Sequence, residues 1–215
     1  MTDFTAARRH MVDGQVRTAD VTDLRILAAM SEIPRERFVP AACAGLAYAD
    51  LDVPVGGARR LLKPMVLAKL VQAFELDEAG RVLDVGCATG YGAAVLARVT
   101  GEVIALEEEP TLLQAAQTAL LSIPNVTTVR GSLATGWPQA APYDAILLEG
   151  AVEQIPGELF AQLKDGGRLG CIFGSGPAAK ARLYRRSAGD FGERDVFDAG
   201  AALLPGFVRP AMFVF

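Results

Sequence analysis

Residues 81–91 are the segment that most constrains how this chain folds. An apolar run typical of a strand ends beside Asp84, and a turn bracketed by Gly86 and Gly90 precedes the helix-forming stretch 92–97. In an α/β sheet, such a sequence places backbone N–H groups and a helix N-terminus at the carboxyl end of a strand, where ligands bind. The segment therefore predicts an α/β fold and the position of a ligand site, but not the identity of the ligand.

The spacing of the turn narrows the choice of ligand. A dinucleotide fingerprint starting at Gly86 needs glycine where Ala88 and Tyr91 stand, and a phosphate-binding loop needs a lysine after Gly90. What remains is a D-x-G-x-x-x-G pattern that starts at Asp84 and is typical of S-adenosylmethionine (SAM) methyltransferases. The predicted cofactor is SAM, and the predicted cofactor-binding residues of the turn are Asp84, Gly86, Cys87, Ala88, Gly90 and Tyr91.

A second acidic residue supports a nucleoside ligand. The next apolar run, 103–106, ends in Glu107, about 20 residues past the turn, where nucleoside-binding α/β folds place the acid that binds the ribose. The alternative is an ordinary strand, turn and helix with a surface acid. Together the turn and Glu107 favour a SAM pocket.

Composition is that of a globular enzyme. Of the 215 residues, 51% are hydrophobic and 21% are charged, which allows one large domain with a full core. No apolar run approaches the roughly 20 residues of a membrane span. The first ten residues lack an apolar signal core, and the three cysteines are isolated. We therefore expect a cytoplasmic protein that has no membrane partner.

Charge and histidine content exclude other classes of function. The net charge of −4 gives no electrostatic reason to expect a nucleic-acid partner. The single histidine, His10, excludes most histidine-based metal sites and argues against a catalytic triad. No metal site is predicted.

The apolar periodicity predicts how the elements alternate. The first forty residues read as helical, with Leu24, Leu27 and Ala28 on one face and Asp23 as a cap, and residues 41–63 read as an irregular loop over the sheet edge. A further helix follows Pro64. From residue 81 the predicted strands are 81–85, 102–106, 126–130, 144–148 and 168–173, and the helices are 90–99, 110–121 and 157–164. Such alternation implies a largely parallel sheet, with further, partly antiparallel strands in the tail (183–186, 194–197 and 210–215).

Several segments resemble one enzyme family over most of the chain. The segment 33–40 (IPRERFVP) is similar to the family's characteristic "VPRExFVP", and 136–146 (GWPQAAPYDAI) is similar to its "GWPxxAPFDAI". The turn 86–91 aligns with its SAM loop "GTGSGY", and Glu107 matches its ribose-binding acid. The chain thus resembles the protein-L-isoaspartate O-methyltransferase family.

The resemblance implies both a fold and an activity. The implied fold is the Rossmann-like, doubly wound, mostly parallel seven-stranded sheet of a class I SAM methyltransferase with an N-terminal helical cap. We expect one domain over residues 1–215, in which 1–64 form the cap and substrate loop, 65–175 the SAM-binding core and 176–215 the C-terminal strands. The implied activity is transfer of a methyl group from SAM to the α-carboxylate of isoaspartyl residues in damaged peptides or proteins.

The substrate loop departs from the family pattern. Residues 56–64 (GGARRLLKP) align with the family's "GHGQTISQP", so Leu62 replaces the serine that recognises the substrate carboxylate. A leucine donates no hydrogen bond, which removes a contact typically worth about 1.5–3 kcal/mol. Arg59, Arg60 or Lys63 are candidates to replace it, because a guanidinium offers a carboxylate two donors. The alternative is a solvated basic loop.

Two more departures lie in the implied site. Ser132 and Leu133 follow the strand at 126–130, where the family has an aspartate that binds adenine, so SAM binding is expected to be weaker or altered. Glu149 stands where the family has threonine and would repel a carboxylate substrate. It would otherwise pair with Arg59 or Arg60, favour a cationic acceptor, or face solvent. The predicted substrate-side residues are therefore Arg59, Arg60, Leu62 and Glu149.

Three functions follow from these observations. The first is isoaspartyl repair with a rearranged carboxylate loop. The second is methyl transfer to another acceptor on the same fold. The third is a catalytically impaired pseudoenzyme that acts through protein interactions. No oligomeric state is predicted.

Overall fold

Nine strands and six helices build the fold, as described by a computed structural model for residues 3–209. The strands are β1 (Val53–Gly56), β2 (Arg59–Leu61), β3 (Arg81–Val85), β4 (Glu102–Glu107), β5 (Val126–Arg130), β6 (Tyr143–Val152), β7 (Leu163–Phe173), β8 (Lys180–Ser187) and β9 (Asp190–Asp198). The helices are α1 (Phe4–Met11), α2 (Leu24–Glu32), α3 (Pro64–Ala73), α4 (Tyr91–Leu96), α5 (Pro110–Leu120) and α6 (Gly157–Ala161).

Seven strands form the central sheet, in the order β5-β4-β3-β6-β7-β8-β9. The first five strands in this order are parallel to one another. β8 is antiparallel to β7, and β9 is antiparallel to β8. Val85 pairs with Leu106 of β4 and with Leu148 of β6, so the carboxyl ends of three strands meet at one edge. The predicted mostly parallel α/β sheet is confirmed. The strands β6 and β7 are longer than predicted, and the helices α4 and α6 are shorter.

The N-terminal part is helical, as predicted, but its buried side differs from the prediction. A short π-helical stretch (Val12–Val16) continues α1, and Asp23 caps α2 by accepting from the backbone N–H of Arg25. Leu24 and Ala28 are exposed. The buried residues of α2 are Ile26, Leu27, Ala29 and Met30, because the helix packs on a face turned away from the predicted one.

The segment 41–63 is more ordered than the predicted loop. After a 3-10 stretch, β1 and β2 form a small antiparallel sheet in which Val53 pairs with Leu61. Gly57 has φ of 52° at the turn, a conformation that glycine adopts without strain. The sequence pattern did not reveal this hairpin because its strands have only four and three residues.

The chain after β9 returns to the carboxyl end of β6. The backbone N–H of Ala151 donates to Ala202 O at 2.8 Å, and that of Leu204 donates to Ala151 O at 2.9 Å. The predicted antiparallel tail strands correspond to β8 and β9, while 210–215 lies outside the described residues. No helix within residues 3–209 has the length and apolar character needed to span a bilayer.

Candidate active site

The turn after β3 has the backbone conformation that its glycines predict. Gly86, Ala88 and Gly90 all have positive φ, at 76°, 50° and 93°. The N–H of Gly86 donates to Leu106 O at 2.9 Å, which holds the turn against the end of β4. A Cβ at Gly90 would lie 2.6 Å from Leu120 Cδ1, so close packing also requires glycine there. The turn and Glu107 are thereby brought into one site at the sheet edge.

Glu107 is fully buried, and four donors surround its carboxylate. Oε2 accepts from the N–H of Ala88 at 2.8 Å. Oε1 accepts from the N–H groups of Glu108 and Glu109 at 3.0 and 3.1 Å, and from Arg59 Nη1 at 3.0 Å. A carboxylate offers about four acceptor positions in all. Three of the four donors share Oε1, so Oε2 of the predicted ribose-binding acid keeps one acceptor position without a donor among the described residues.

Arg59 reaches this acid from the hairpin. It extends from β2, is 6% exposed, and forms an ion pair with Glu107. Its Nη2 also donates to Gly86 O at 2.5 Å. Arg59 was predicted for the substrate side, yet its guanidinium lies in the cofactor half, because the hairpin folds over the carboxyl ends of β3 and β4.

Leu204 covers the rest of the turn. A Cβ on Gly86 would lie 2.7 Å from Arg59 Nη2 and 3.1 Å from Leu204 Cδ2, and one on Gly150 would lie 2.7 Å from Leu204 Cγ. The cavity left between the hairpin, Glu149 and residues 202–204 measures ≈ 10 Å³, roughly the volume that one water molecule needs. A larger cavity of ≈ 640 Å³ adjoins this region between residues 55–59, residues 108–112 and Pro205. Arg59 and Leu204 therefore fill the space directly over the turn, while the space beside it is open.

Asp84 and Glu149 form a buried acid pair beneath the turn. Burial raises the pKa of Asp84 to about 7. Burial, followed by the charge of Asp84, raises the pKa of Glu149 well above its usual value. Three of their oxygen atoms are buried: Oδ1 and Oδ2 of Asp84, and Oε1 of Glu149. If both groups were ionised, none of these three atoms would accept a hydrogen bond. The pair therefore shares a proton at neutral pH, and it carries at most about one negative charge.

The structure corrects part of the prediction for Glu149. Its side chain does not face solvent, since the residue is 3% exposed. Within residues 3–209 it forms no ion pair with Arg59 or Arg60, because its partner is Asp84 and Arg59 is engaged by Glu107. A Cβ on Gly92 would lie 1.8 Å from Glu149 Oε1. The carboxyl group thus fits only because glycine occupies the second position of α4.

The other residues predicted for the cofactor lie in different environments. Tyr91 is 1% exposed and packs against the edge of Phe38, with ring centroids 5.5 Å apart, which makes it a core residue in this arrangement. Cys87 and Leu133 are completely buried. Ser132 is exposed and forms no side-chain hydrogen bond among the described residues.

On the substrate side, Leu62 is buried, whereas the basic residues Arg60 and Lys63 are more accessible to solvent. Leu62 is 3% exposed and belongs to the hydrophobic core. Arg60 is exposed and lines the small cavity beside Glu149. The backbone N–H of Lys63 donates to Asp52 Oδ1 at 2.9 Å, and its side chain is half-buried. Among the described residues Arg60 forms no ion pair, so its guanidinium is available to an anion.

Arg35 is a residue of the site region that the sequence analysis did not single out. It is completely buried; Nε donates to Ala47 O at 2.8 Å and Nη2 donates to Leu62 O at 2.7 Å. Its guanidinium carbon lies 4.5 Å from the centroid of the Tyr91 ring. The available signal was its place in the segment 33–40, which matches the family pattern. Arg35 joins the cap, the hairpin and the helix α4.

Comparison with known proteins decides the family. The sequence pattern of protein-L-isoaspartate(D-aspartate) O-methyltransferases matches residues 6–195. The chain belongs to this family. It is 41% identical over 195 residues to the protein-L-isoaspartate O-methyltransferase of Methylorubrum extorquens (strain PA1), covering 90% of this chain and 86% of that protein. It is 39% identical over 193 residues to protein-L-isoaspartate O-methyltransferase 1 of Rhodopseudomonas palustris (strain HaA2), covering 88% and 79%.

Solved structures agree with this fold. A protein-L-isoaspartate O-methyltransferase structure superposes with a TM-score of 0.79 at 27% identity over 93% of this chain, which spans 66% of that structure's length. A putative family member from Plasmodium falciparum, in complex with S-adenosyl-L-homocysteine, shares the fold with a TM-score of 0.78 at 16% identity, covering 95% of this chain and 99% of that one. The predicted resemblance, fold class and enzyme class are confirmed, and SAM is the cofactor of the family.

Proposed function

We propose that this chain transfers a methyl group from SAM to the α-carboxylate of isoaspartyl residues in damaged peptides and proteins. The observation that carries the proposal is its membership of the isoaspartate methyltransferase family over residues 6–195. The site supports it, because the turn at Gly86 and the acid Glu107 lie together at the carboxyl ends of β3 and β4. Ligands bind at this edge in open α/β sheets.

The reaction requires little proton transfer by the protein. A carboxylate is already ionised at neutral pH, since its pKa is about 4, and the donor supplies an activated methyl group. The chain's own residues have to orient the acceptor and exclude water. The proton shared by Asp84 and Glu149 reduces the negative charge below the acceptor position, so the repulsion expected from an ionised Glu149 is lowered.

The donor site of this proposal lies between the turn, Glu107 and the hairpin. Arg59 and Leu204 lie directly over the turn, and a cavity of ≈ 640 Å³ adjoins them on the side of Glu108 and Glu109. We assign Glu107 to the donor's ribose and the backbone of the turn to the rest of the donor. The three free cysteines, with Cys87 and Cys171 buried, suit a reducing compartment, and we place the protein in the cytoplasm.

The test is methyl transfer from radiolabelled SAM to an isoaspartyl peptide. We expect the isoaspartyl peptide to be methylated and the same peptide with ordinary aspartate to remain unlabelled. Label in both peptides, or in neither, contradicts isoaspartyl specificity. Calorimetric titration with S-adenosylhomocysteine, run in parallel, separates a lost acceptor from a lost donor.

A second candidate is favoured by one observation on the acceptor side. The position of the family's carboxylate-binding serine holds Leu62, which is buried in the core and offers no hydrogen-bond donor from its side chain. A methyltransferase with another acceptor, or an impaired pseudoenzyme, fits that change. Binding of S-adenosylhomocysteine without isoaspartyl methylation would support another acceptor, and failure to bind it would support the pseudoenzyme.

Arg60→Gln tests which residue replaces the missing serine. Arg60 is exposed beside the cavity and has no ion-pair partner among the described residues. We expect the variant to raise KM for the isoaspartyl peptide roughly tenfold, which corresponds to one charge-assisted hydrogen bond. Lys63→Gln is the matched control, and we expect less than about a threefold change there. Equal effects of the two variants would show that only net charge matters.

Ser132→Asp tests the adenine side of the donor site. Ser132 is exposed, follows β5 after Gly131 and forms no side-chain hydrogen bond among the described residues, so a longer, charged acceptor can be placed there without loss of packing. We expect affinity for S-adenosylhomocysteine to rise about threefold to tenfold in calorimetric titration. Thr135→Asp, also exposed, is the control and should leave the affinity unchanged. An unchanged or lower affinity of the Ser132 variant would exclude this role.

A further inference from the structure

We propose that the cap segment Arg35–Phe38 positions the donor turn 86–91 through a hydrogen bond from Thr89 to Phe38, and that donor affinity depends on this bond. The inference rests on the proposed function, because it concerns the turn to which the donor is assigned. It gives a role to the segment 33–40, whose residues have no place in the donor and acceptor sites described above.

The conformation of the turn needs support from its neighbours. Thr89 lies between Ala88 and Gly90, which have φ of 50° and 93°. Glycine adopts such angles freely, whereas the Cβ of an alanine makes the left-handed region unfavourable. A residue stays in that region only when surrounding groups hold it there. On one side the support is Glu107, whose Oε2 accepts from the N–H of Ala88 at 2.8 Å.

The cap supplies the support on the other side. Thr89 is 7% exposed, and its Oγ1 donates to Phe38 O at 2.5 Å. The Phe38 ring meets the ring of Tyr91 edge-on, with centroids 5.5 Å apart. The guanidinium carbon of Arg35 lies 4.5 Å from the centroid of the same Tyr91 ring. One short segment of the cap thus holds both the turn and the first residue of α4.

Loss of the Thr89 bond is expected to weaken donor binding without removing any contact to the donor. The hydroxyl is used by Phe38 O, so its effect on the donor passes through the shape of the turn. A turn that populates other conformations binds with an affinity reduced by the fraction that is still competent. By thermodynamic reciprocity, a bound donor must in turn stabilise the cap segment.

Calorimetric titration with S-adenosylhomocysteine tests the role of Thr89. We expect Thr89→Val, which keeps the shape of the side chain but lacks its hydroxyl, to bind about threefold to tenfold more weakly than the wild type. Thr89→Ser restores the hydroxyl and should stay within about twofold of the wild type.

Thr100→Val is the matched control. Thr100 is 5% exposed, lies beyond the other end of α4, and donates from Oγ1 to Gly80 O at 2.8 Å. Both valine variants lose one buried hydroxyl that donates to a carbonyl, so we expect similar losses of stability in urea unfolding. Only Thr89→Val should lose affinity for S-adenosylhomocysteine. Equal affinities of the two valine variants would mean that Thr89 acts on stability alone, and would overturn the proposal.

The wild type provides a test that does not depend on a variant folding. The N–H of Arg37 donates to Pro34 O at 3.0 Å within the cap segment. We expect saturating S-adenosylhomocysteine to slow hydrogen exchange of residues 35–38 at least about threefold. Exchange in β8 and β9, at the other end of the sheet, should not change. Unchanged exchange of residues 35–38 would overturn the proposal.

The outcomes separate this inference from the proposed function. If the wild type binds S-adenosylhomocysteine and methylates the isoaspartyl peptide, but Thr89→Val binds as Thr100→Val does, only this inference fails. If the wild type does not bind S-adenosylhomocysteine, the proposed function fails together with it.

Discussion

Arg35→Ala is expected to lower the free energy of unfolding by about 3–5 kcal/mol. The change leaves the carbonyls of Ala47 and Leu62 without their buried donor, at about 1–3 kcal/mol each. It also empties the space beside the Tyr91 ring, where the guanidinium now packs. Because Arg35 joins the cap to the hairpin, the loss should appear in urea unfolding as a lower midpoint.

The neighbouring Arg37 provides the control. It belongs to the same short helical turn, Arg35–Phe38, but it is exposed. We expect Arg37→Ala to stay within about 0.5 kcal/mol of the wild type, as surface substitutions usually do. A loss below about 1 kcal/mol for Arg35→Ala would mean that the cap is held mainly by its apolar contacts.

Glu149→Gln is expected to remove a loss of stability that the wild type shows as the pH rises. The folded pKa values of Asp84 and Glu149 are raised, to about 7 for Asp84 and well above the usual value for Glu149. The folded protein therefore binds more protons than the unfolded chain from about pH 4 upwards. Stability falls with pH wherever the folded state holds more protons. The destabilisation by each acid therefore grows from about pH 4 up to its folded pKa, and it stays constant above that pH.

The size of the effect follows from the shift of Asp84. A shift from 3.8 to about 7 corresponds to an upper limit of roughly 4 kcal/mol, at about 1.4 kcal/mol for each pKa unit. In the variant, the side-chain amide introduced at this position donates to an ionised Asp84, and no shared proton is needed. We expect the variant to be about 2 kcal/mol more stable than the wild type at pH 8, and nearly equal to it at pH 5.

Urea unfolding of both proteins between pH 5 and pH 8 measures this difference. Glu158→Gln makes the same chemical change at an exposed position, and its stability should follow that of the wild type within about 0.5 kcal/mol at every pH. Parallel curves for the wild type and the Glu149 variant would show that the two acids do not share a proton.

The periodic elements were predictable because each carries its own signal. β3 and β5 have the predicted bounds, and α5 begins at the predicted residue, since their apolar residues face a core on a regular repeat. The glycine pattern of the turn likewise fixed its positive φ angles. The division into one domain over residues 1–215 stays a prediction.

The short and non-local elements were not predictable in the same way. The hairpin of β1 and β2 has too few residues for a periodic signal, and the return of residues 202–207 to β6 depends on partners far away in sequence. The direction of each side chain along the hairpin also mattered: Leu62 points into the core while Arg60 is exposed.

The sequence by itself determined the family, the α/β sheet, and the place of the turn and Glu107, because local patterns of glycine, acid and apolar residues encode them. Only the tertiary structure decided what lies against that acid. Contacts between Arg59 and Glu107, and between Asp84 and Glu149, join residues 48 and 65 positions apart along the chain. Such pairings are set by how the hairpin and β6 pack on β3 and β4, and a buried charge takes the partner that packing brings within reach.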